Sequence, residues 1–457
     1  MQKYEIKNGV GIIPEGTTII SEDSFEDNSQ ITSVIIPDTV TSINSFAFFK
    51  YEHLKSIVIP DSVRVIGDSA FWGCSELTDL FIPSSVERIE SQAFNCCRSL
   101  SRITVSEGNP HYDSRCNCNA IIETESNTLL FASKNTVIPE SVTTIGRDAF
   151  GGFNELTDIV IPSSVEVIDS LAFSGCGGLR SIVIPESVMI IGSNAFMGCS
   201  GLSDIVIPDS VVEIGSEAFL SCTGLTNITF GKSLKAIGNH AFSGCSGLTS
   251  VVIPDAVEEI GYNAFDGCVG LTNILIGSSV KEINSKAFAR CTNLSSIDIS
   301  ENETYDSRDN CNAIIETNTE TLIAGCKDTI IPKSVKTLGE GAFTGCSGLT
   351  GIVIPEGVTE ISADAFCDCT GLIEIIIPST VTSIKSCAFA DCKSLTNIVI
   401  QGTVTEIGNY VFDGCVSLKT IYVPANKLSH YKKLLPKELH TLIVKQPAMK
   451  KAKHSPK

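Results

Sequence analysis

Residues 179–201 read LRSIVIPESVMIIGSNAFMGCSG, and residues 248–270 repeat the pattern as LTSVVIPDAVEEIGYNAFDGCVG. The same 23-residue block runs through most of the 457-residue chain. Its proline defines position 0, and a phenylalanine follows at position 11 even where Gly231, Gly277 or Gln401 replaces the proline. A period of this length predicts a repeat solenoid. The register is carried by Phe25, Phe48, Phe71, Phe94, Phe150, Phe173, Phe196, Phe219, Phe242, Phe265, Phe288, Phe343, Phe366, Phe389 and Phe412.

A single block is not expected to fold alone. In residues 60–82, apolar side chains recur at positions 3, 6, 10, 11, 14, 17, 20 and 22. Burying these few side chains does not offset the conformational entropy lost when every residue of the block is ordered. Stacked blocks bury one another's open faces, so stability belongs to the array.

Each block is predicted to contain two extended segments and a compact corner. LTDLFI at residues 77–82 ends in period-2 alternation before Pro83, which is typical of a strand. Val63 and Ile66 lie in a second extended segment that ends at Gly67, where a positive φ costs little. SAFWGC at residues 69–74 is too short for a stable helix and is expected to form a turn or a single helical turn.

The block LxxIxIPxSVxxIGxxAFxGCxG resembles the BspA-type leucine-rich repeat of bacterial and protist surface proteins, and the likeness spans nearly all of residues 13–424. It implies a leucine-rich-repeat solenoid, a right-handed superhelix with a long parallel β-sheet on one side and short turns or single helical turns on the other. It also implies a role in binding proteins, often in adhesion to host or matrix proteins. The resemblance implies no catalytic residues in this chain.

Two segments break the period. YDSRCNCNAIIETESNTLL at residues 112–130 and YDSRDNCNAIIETNTETLI at residues 305–323 are similar, and each predicts an inserted β-hairpin with an AIIE strand and a TLL or TLI strand. One interpretation is a structural hairpin that bulges from one face. The other is a loop that contacts a ligand.

The predicted organisation is one repeat domain. Residues 1–424 form the solenoid, with hairpin insertions near residues 106–138 and 300–331. Residues 425–444 form a C-terminal cap with a short helix and a last strand, and residues 445–457 form a basic tail that is expected to be disordered. The first residues enter the repeat directly, so a signal peptide is either absent or already removed. The resemblance favours the cell surface or secretion, and a cytoplasmic location is the alternative.

Charge restricts the partners. The segment from Lys445 onward holds five lysines and no acid, so the rest of the chain carries 28 basic and 52 acidic residues, a net charge of −24. Such a body repels nucleic acid and anionic membranes. No apolar run is long enough to span a membrane. A monomer that binds a protein or peptide is the expectation.

The cysteines are predicted to be reduced packing residues. Tyr51 and Phe153 occupy the same position in other blocks, so position 14 requires a buried apolar group, and free cysteine behaves as one. Successive blocks would place these cysteines near enough for disulfides, so spacing alone leaves that alternative open. Of nineteen cysteines, twelve stand at position 14: Cys74, Cys97, Cys176, Cys199, Cys222, Cys245, Cys268, Cys291, Cys346, Cys369, Cys392 and Cys415.

Metal binding and catalysis are not indicated. His111, Cys116 and Cys118 could supply three metal ligands, but the second insertion has Thr304, Asp309 and Cys311 at the matching places. The six histidines show no repeat-spaced serine or aspartate partner, and no phosphate-binding loop or metalloprotease motif is present. No enzyme activity, cofactor or metal is therefore predicted.

The outward side of the strand is the candidate partner-binding surface. Positions 20 and 22 point inward, so positions 19 and 21 point outward. Position 19 is small or polar, whereas position 21 forms an apolar stripe, which either marks a binding surface or reflects the preference of β-branched residues for strands. The alternative to a binding module is an intracellular structural scaffold with no dedicated ligand. The stripe comprises Val58, Phe81, Val160, Val183, Val206, Val252, Leu275, Val353, Ile376, Val399 and Tyr422.

Overall fold

A computed structural model describes residues 3–22 and 24–446. It divides into two compact units, Met1–Ser246 and Gly247–Lys457. Each unit is a stack of coils, and each coil corresponds to one sequence block. A coil has a strand side at positions 19–22, a turn after the proline, a shorter strand side at positions 5–6, and a corner at positions 8–13. The solenoid predicted from the repeat is confirmed.

Parallel strands form the first side of unit 1, which we call the long-strand ladder. They are β2 (Val10–Ile12), β4 (Ser33–Ile35), β6 (Ser56–Ile57), β8 (Asp79–Ile82), β10 (Arg102–Val105), β17 (Asp204–Val206) and β19 (Asn227–Thr229), and β1 (Glu5–Lys7) pairs antiparallel with β2. Residues 157–161 and 180–184 continue this side without β-bridges, and Arg180 N–H donates to the Thr157 carbonyl oxygen at 3.2 Å.

The second side of unit 1 is the short-strand ladder of two-residue parallel strands. Its members are β3 (Ile19–Ile20), β5 (Ser42–Ile43), β7 (Val65–Ile66), β9 (Arg88–Ile89), β14 (Thr144–Ile145), β15 (Val167–Ile168), β16 (Ile190–Ile191), β18 (Glu213–Ile214) and β20 (Ala236–Ile237). A glycine follows five of these nine strands, and at Gly67 it is required by space. A Cβ on Gly67 would lie 2.4 Å from Ser45 N. Gly67 does not use the positive φ that glycine permits.

Unit 2 repeats both ladders. Its long strands are β21 (Ser250–Val252), β23 (Asn273–Ile276), β25 (Ser296–Ile299), β31 (Glu374–Ile377), β33 (Asn397–Ile400), β35 (Thr420–Val423) and β36 (Ile443–Lys445). Its short strands are β22 (Glu259–Ile260), β24 (Glu282–Ile283), β29 (Thr337–Leu338), β30 (Glu360–Ile361), β32 (Ser383–Ile384) and β34 (Glu406–Ile407).

The corner is a third ladder rather than a helical turn. Asp148, Phe150 and Gly152 donate their N–H groups to the next coil, to the carbonyl oxygens of Ser170, Ala172 and Ser174, at 3.1, 2.8 and 2.7 Å. Positions 9 and 13 adopt positive φ, 58° at Asp148 and 79° at Gly152. This alternation turns every second N–H toward the following coil. Within each unit the stacked corners hold position-11 phenylalanines of consecutive coils in buried rows, such as Phe150, Phe173, Phe196, Phe219 and Phe242.

The two insertions are part of the core. In the first, β11 (Tyr112–Asp113) and β13 (Thr128–Ala132) flank β12 (Ala120–Glu123) antiparallel, and β13 then pairs parallel with β14. The second has the same arrangement in β26 (Tyr305–Asp306), β27 (Ala313–Glu316) and β28 (Thr321–Gly325). The hairpins are confirmed, with a third short strand that was not predicted. Their placement as bulges from one face is wrong, because each takes the place of a coil in the short-strand ladder.

A buried asparagine anchors each insertion. Asn109 Nδ2 donates to the carbonyl oxygens of Pro83 and Val86, both at 2.9 Å, while its Oδ1 accepts from the backbone N–H groups of His111 and Tyr112. Asn302 makes the corresponding bonds in unit 2. These side-chain bonds replace backbone bonds that a regular coil would supply.

The C-terminal end of unit 2 carries α1 (Leu428–Leu434), a 3-10 turn (Lys437–Leu439) and β36. Tyr431 is fully buried, and its hydroxyl donates to Gly402 O at 2.9 Å and accepts from Val404 N–H at 3.0 Å. Lys445, assigned from the sequence to the basic tail, instead belongs to β36 and pairs with Val423. The remainder of the predicted tail, from residue 447 onward, lies outside the described residues.

Position 14 buries its thiols. Eleven of the twelve cysteines are buried and Cys415 is partly exposed, as the packing argument predicted. The thiol also has a polar role, since Cys199 Sγ donates to Phe173 O at 3.2 Å and Cys245 Sγ to Phe219 O at 3.2 Å. The reduced state of these cysteines stays a prediction.

Thiol labelling at about pH 8 will separate buried from exposed cysteines. Burial raises the pKa of Cys199 and of Cys245 to about 12, so roughly one in 10⁴ of these thiols is ionised at that pH. We expect iodoacetamide to modify exposed Cys116 in the folded protein and to spare Cys199 and Cys245 until urea unfolds the chain. Labelling of Cys199 as fast as Cys116, or disulfides in the unreduced protein, would contradict this.

Candidate functional site

The predicted stripe lies on the outer side of the long-strand ladders. Strand β8 shows why, because Leu80 and Ile82 are buried whereas Asp79 and Phe81 are exposed. Val58, Val160 and Val183 are 77, 81 and 79% exposed, unusually high values for valine. Nine of the ten candidate residues before Tyr422 are exposed: Val58, Phe81, Val160, Val183, Val206, Val252, Leu275, Val353 and Ile376.

Val399 is the exception to this exposure. It is half-buried, in strand β33, and its register neighbours are Ile376 on β31 and Tyr422 on β35. Tyr422 is also half-buried. The larger side chains on both sides account for the lower exposure of Val399.

The stripe contains four further residues that the prediction from the sequence omitted. Ile35, Val137 and Ile330 are 57, 71 and 73% exposed, and each stands two residues before a proline, as Val58 does. Val444 is paired with Tyr422 and is 38% exposed. Ile35 is position 21 after Pro14 and was overlooked. Counting back from the following proline would have found Val137 and Ile330, because the hairpins lengthen their blocks without altering the VIP or IIP ending.

Polar residues divide the stripe into runs. Thr104 and Thr229 take position 21 in unit 1, and Asp298 takes it in unit 2. In unit 1 this leaves one run of Ile35, Val58 and Phe81 and a second run, which we call the central run, of Val137, Val160, Val183 and Val206. Runs of this length form a continuous apolar line rather than scattered exposed side chains.

Acidic side chains lie on both sides of the stripe. Asp204, at position 19, accepts hydrogen bonds from Asn227 Nδ2 at 2.8 Å and from Ser203, and these lower its pKa. In unit 2, the Ser278 backbone N–H donates to Asp255 at position 1, which lowers the pKa of that carboxyl. These groups are therefore anionic at neutral pH.

The rejected metal site gains no support from the structure. Within residues 3–22 and 24–446, no three histidine, cysteine, aspartate or glutamate side chains are close enough to hold a metal ion. Cys116 is exposed, whereas Cys118 is buried, and burial raises its pKa to about 11. No helix of the described chain is both long and apolar enough to cross a membrane.

Family comparison matches the coils directly. The description "BspA type Leucine rich repeat region (6 copies)" fits residues 10–123, 121–248, 212–317 and 313–434, which is most of the chain. The chain belongs to the BspA-type leucine-rich-repeat family. The resemblance drawn from the sequence is thus confirmed. Repeat proteins of this architecture are in general protein-interaction modules.

Solved structures of leucine-rich-repeat proteins are similar to this BspA-type chain. One from Bacteroides ovatus is 24% identical, with 97% of this chain and 94% of that chain covered and a TM-score of 0.44. A leucine-rich cell surface protein from Faecalibacterium prausnitzii is 22% identical, with coverage of 92% and 94% and a TM-score of 0.41. The T. pallidum leucine-rich-repeat protein is 29% identical over 42% of this chain and 78% of that chain, with a TM-score of 0.30. No curated protein matches.

Proposed function

We propose that this BspA-type chain is a binding module, without enzymatic activity, that holds a protein or peptide on the stripe at the cell surface or after secretion. The observation that carries the proposal is the central run, in which Val137, Val160, Val183 and Val206 are 71, 81, 79 and 61% exposed. Exposed apolar side chains are unfavourable in water, and a partner that buries the central run gains the free energy of that burial.

A second candidate is an intracellular scaffold without a dedicated ligand. It is favoured by the nineteen cysteines, none of which forms a disulfide in the structure. Free thiols persist in reducing compartments, whereas secreted proteins usually pair theirs. Immunolocalisation in intact and permeabilised cells separates the two candidates, because antibody reaches a surface protein without permeabilisation.

Aspartate substitutions on the stripe should abolish capture of the partner. We expect the triple variant Val160→Asp, Val183→Asp, Val206→Asp to fold with a parental circular dichroism spectrum, because these side chains lie outside the core. It should retain less than about a tenth of the partner that the parent pulls down from host or matrix extract, because three desolvated carboxylates oppose burial.

The control places the same charges on the short-strand ladder of the same unit. Met189, Ile190 and Val212 are 48, 51 and 51% exposed, and the variant Met189→Asp, Ile190→Asp, Val212→Asp should capture the parental amount. Unfolding of the stripe variant would show that the stripe is core. A folded stripe variant with parental capture would place the ligand on another surface.

A further inference from the structure

A row of carboxylates runs beside the stripe at position 1, directly after the proline. At Val137, Val183 and Val206 the exposed valine is followed by a buried isoleucine, the proline and an exposed acid, whereas Ser163 takes position 1 after Val160. In unit 1 this acidic row consists of Glu15, Asp38, Asp61, Glu140, Glu186 and Asp209.

Nothing in the described chain neutralises most of this row. Asp38, Asp61, Glu140 and Glu186 have no ion pair or side-chain hydrogen bond within residues 3–22 and 24–446. Asp209 accepts one bond, from Lys232 N–H at 2.7 Å. The acidic row therefore leaves its charges available to a partner.

The central run has acids on both flanks. Glu140, Glu186 and Asp209 follow the stripe by three residues, and Asp158 and Asp204 precede it by two. Lys134 and Arg180 are exposed cations three residues before the stripe, and Lys232 is an exposed cation at position 1 of the next block. Two acids face two cations before the stripe, whereas three acids face one cation at position 1. A partner that covers the central run therefore needs positive charge on the side of the acidic row.

The spacing of the coils indicates the partner's conformation. Stacked coils repeat at about 4.8 Å, and three residues of extended chain reach at most about 10 Å from the stripe to the acidic row. An α-helix is about 10–12 Å wide and rises about 5.4 Å per turn. Its pitch therefore differs from the coil spacing by only about 0.6 Å, so one apolar residue per turn can contact one stripe residue per coil. In an extended strand, residues on the same face repeat at about 6.7 Å, so a bound strand would lose register with the coils about three times faster than a helix.

We infer that the segment held on the central run is an amphipathic helix with lysine or arginine along the edge of its apolar face that meets the acidic row. This rests on the proposed function of the stripe and adds the partner's charge and conformation. The helix lies along the stack, with its apolar face on Val137, Val160, Val183 and Val206 and its cations beside Glu140, Glu186 and Asp209.

Three labelled peptides of about 18 residues test the inference. The first has leucine at helical spacing and lysine elsewhere, the second replaces each lysine with glutamate, and the third alternates leucine and lysine as a strand would. Fluorescence anisotropy with the full chain at about 0.05 and 0.5 M salt measures their dissociation constants. We expect the lysine helix to bind at least tenfold more tightly than the other two, and its affinity to fall with salt.

Protein variants test where the helix binds. Glu140→Gln, Glu186→Gln, Asp209→Asn should weaken the lysine helix about tenfold at low salt and reduce its salt dependence. A control with the same change in charge, Glu125→Gln, Glu166→Gln, Glu213→Gln, neutralises exposed acids of the hairpin turn and the short-strand ladder and should change affinity less than twofold.

The outcomes separate the inference from the proposed function. If the stripe triple variant loses its natural partner while the acidic-row variant binds the lysine helix like the parent, the inference fails and the binding surface stands. Equal binding of the glutamate helix, or tighter binding of the alternating peptide, would also overturn the inference. If the stripe variant keeps its natural partner, the proposed function itself fails.

Discussion

Replacing Phe219 with alanine will destabilise unit 1 by about 3–5 kcal/mol, which is the usual cost of removing a buried phenylalanine. Phe219 is fully buried, and its ring stacks between Phe196 and Phe242 with centroid distances of 5.1 Å on each side. The cavity therefore removes contacts from two neighbouring coils at once. Urea unfolding followed by circular dichroism measures the loss.

The same variant tests how strongly coils depend on their neighbours. Because each coil is stabilised by its interfaces, Phe219→Ala should also open the flanking blocks to protease. Phe81→Ala is the matched control, since Phe81 is 50% exposed on the stripe and its loss should cost about 1 kcal/mol or less. A Phe219→Ala protein as protease-resistant as the parent would show that the coils are more independent than their packing indicates.

Asn109→Ala should cost roughly 3 kcal/mol, although it removes only one small polar side chain. Asn109 is 8% exposed and satisfies two carbonyl oxygens and two backbone N–H groups where the first insertion joins the preceding coil. Each buried group left without a partner costs about 1–3 kcal/mol, and water reaching the opened site recovers part of this.

Asn135→Ala is the control for this substitution. Asn135 lies in the same insertion, but its side chain is exposed and donates a single 3.3 Å bond to Ser101 O. Its loss should stay within about 0.5 kcal/mol of the parent. If Asn109→Ala is equally mild, the insertion is held by its apolar strands and not by the asparagine.

The facing of the stripe could be predicted because it depends on local geometry alone. Alternation in LTDLFI assigns Leu80 and Ile82 to the core and Phe81 to the outside, and the structure agrees. Repetition strengthens such a prediction, since the same alternation recurs in block after block. The prediction missed Val137 and Ile330 because an insertion changed the count from the preceding proline.

The corner ladder could not be predicted because no residue type marks it. Position 9 adopts positive φ whether it holds Phe46, Asp148, Leu171 or Glu217. This backbone conformation is costly for such side chains. It is held in place by bonds to residues in the next coil, such as Leu171 N–H to Ser193 O at 2.9 Å. Such a conformation exists only in the stack.

The cysteines and the insertions show the same limit. Apolar neighbours at position 14 predicted burial, but the bond from Cys199 to Phe173 joins residues 26 positions apart. AIIE and TLL predicted strands, yet their place in the short-strand ladder depends on the pairing of Thr128 with Thr144. Local propensity specifies that a strand forms, and only tertiary contact specifies which strand it joins.

By itself, the sequence determined the repeat length, the stacked architecture, the core positions and the outward line of apolar side chains, because each follows from a local period. The tertiary structure alone decided the third ladder at the corners and the incorporation of both hairpins into the core. Those features join residues from different coils, and their distances are set by stacking, which no single block encodes.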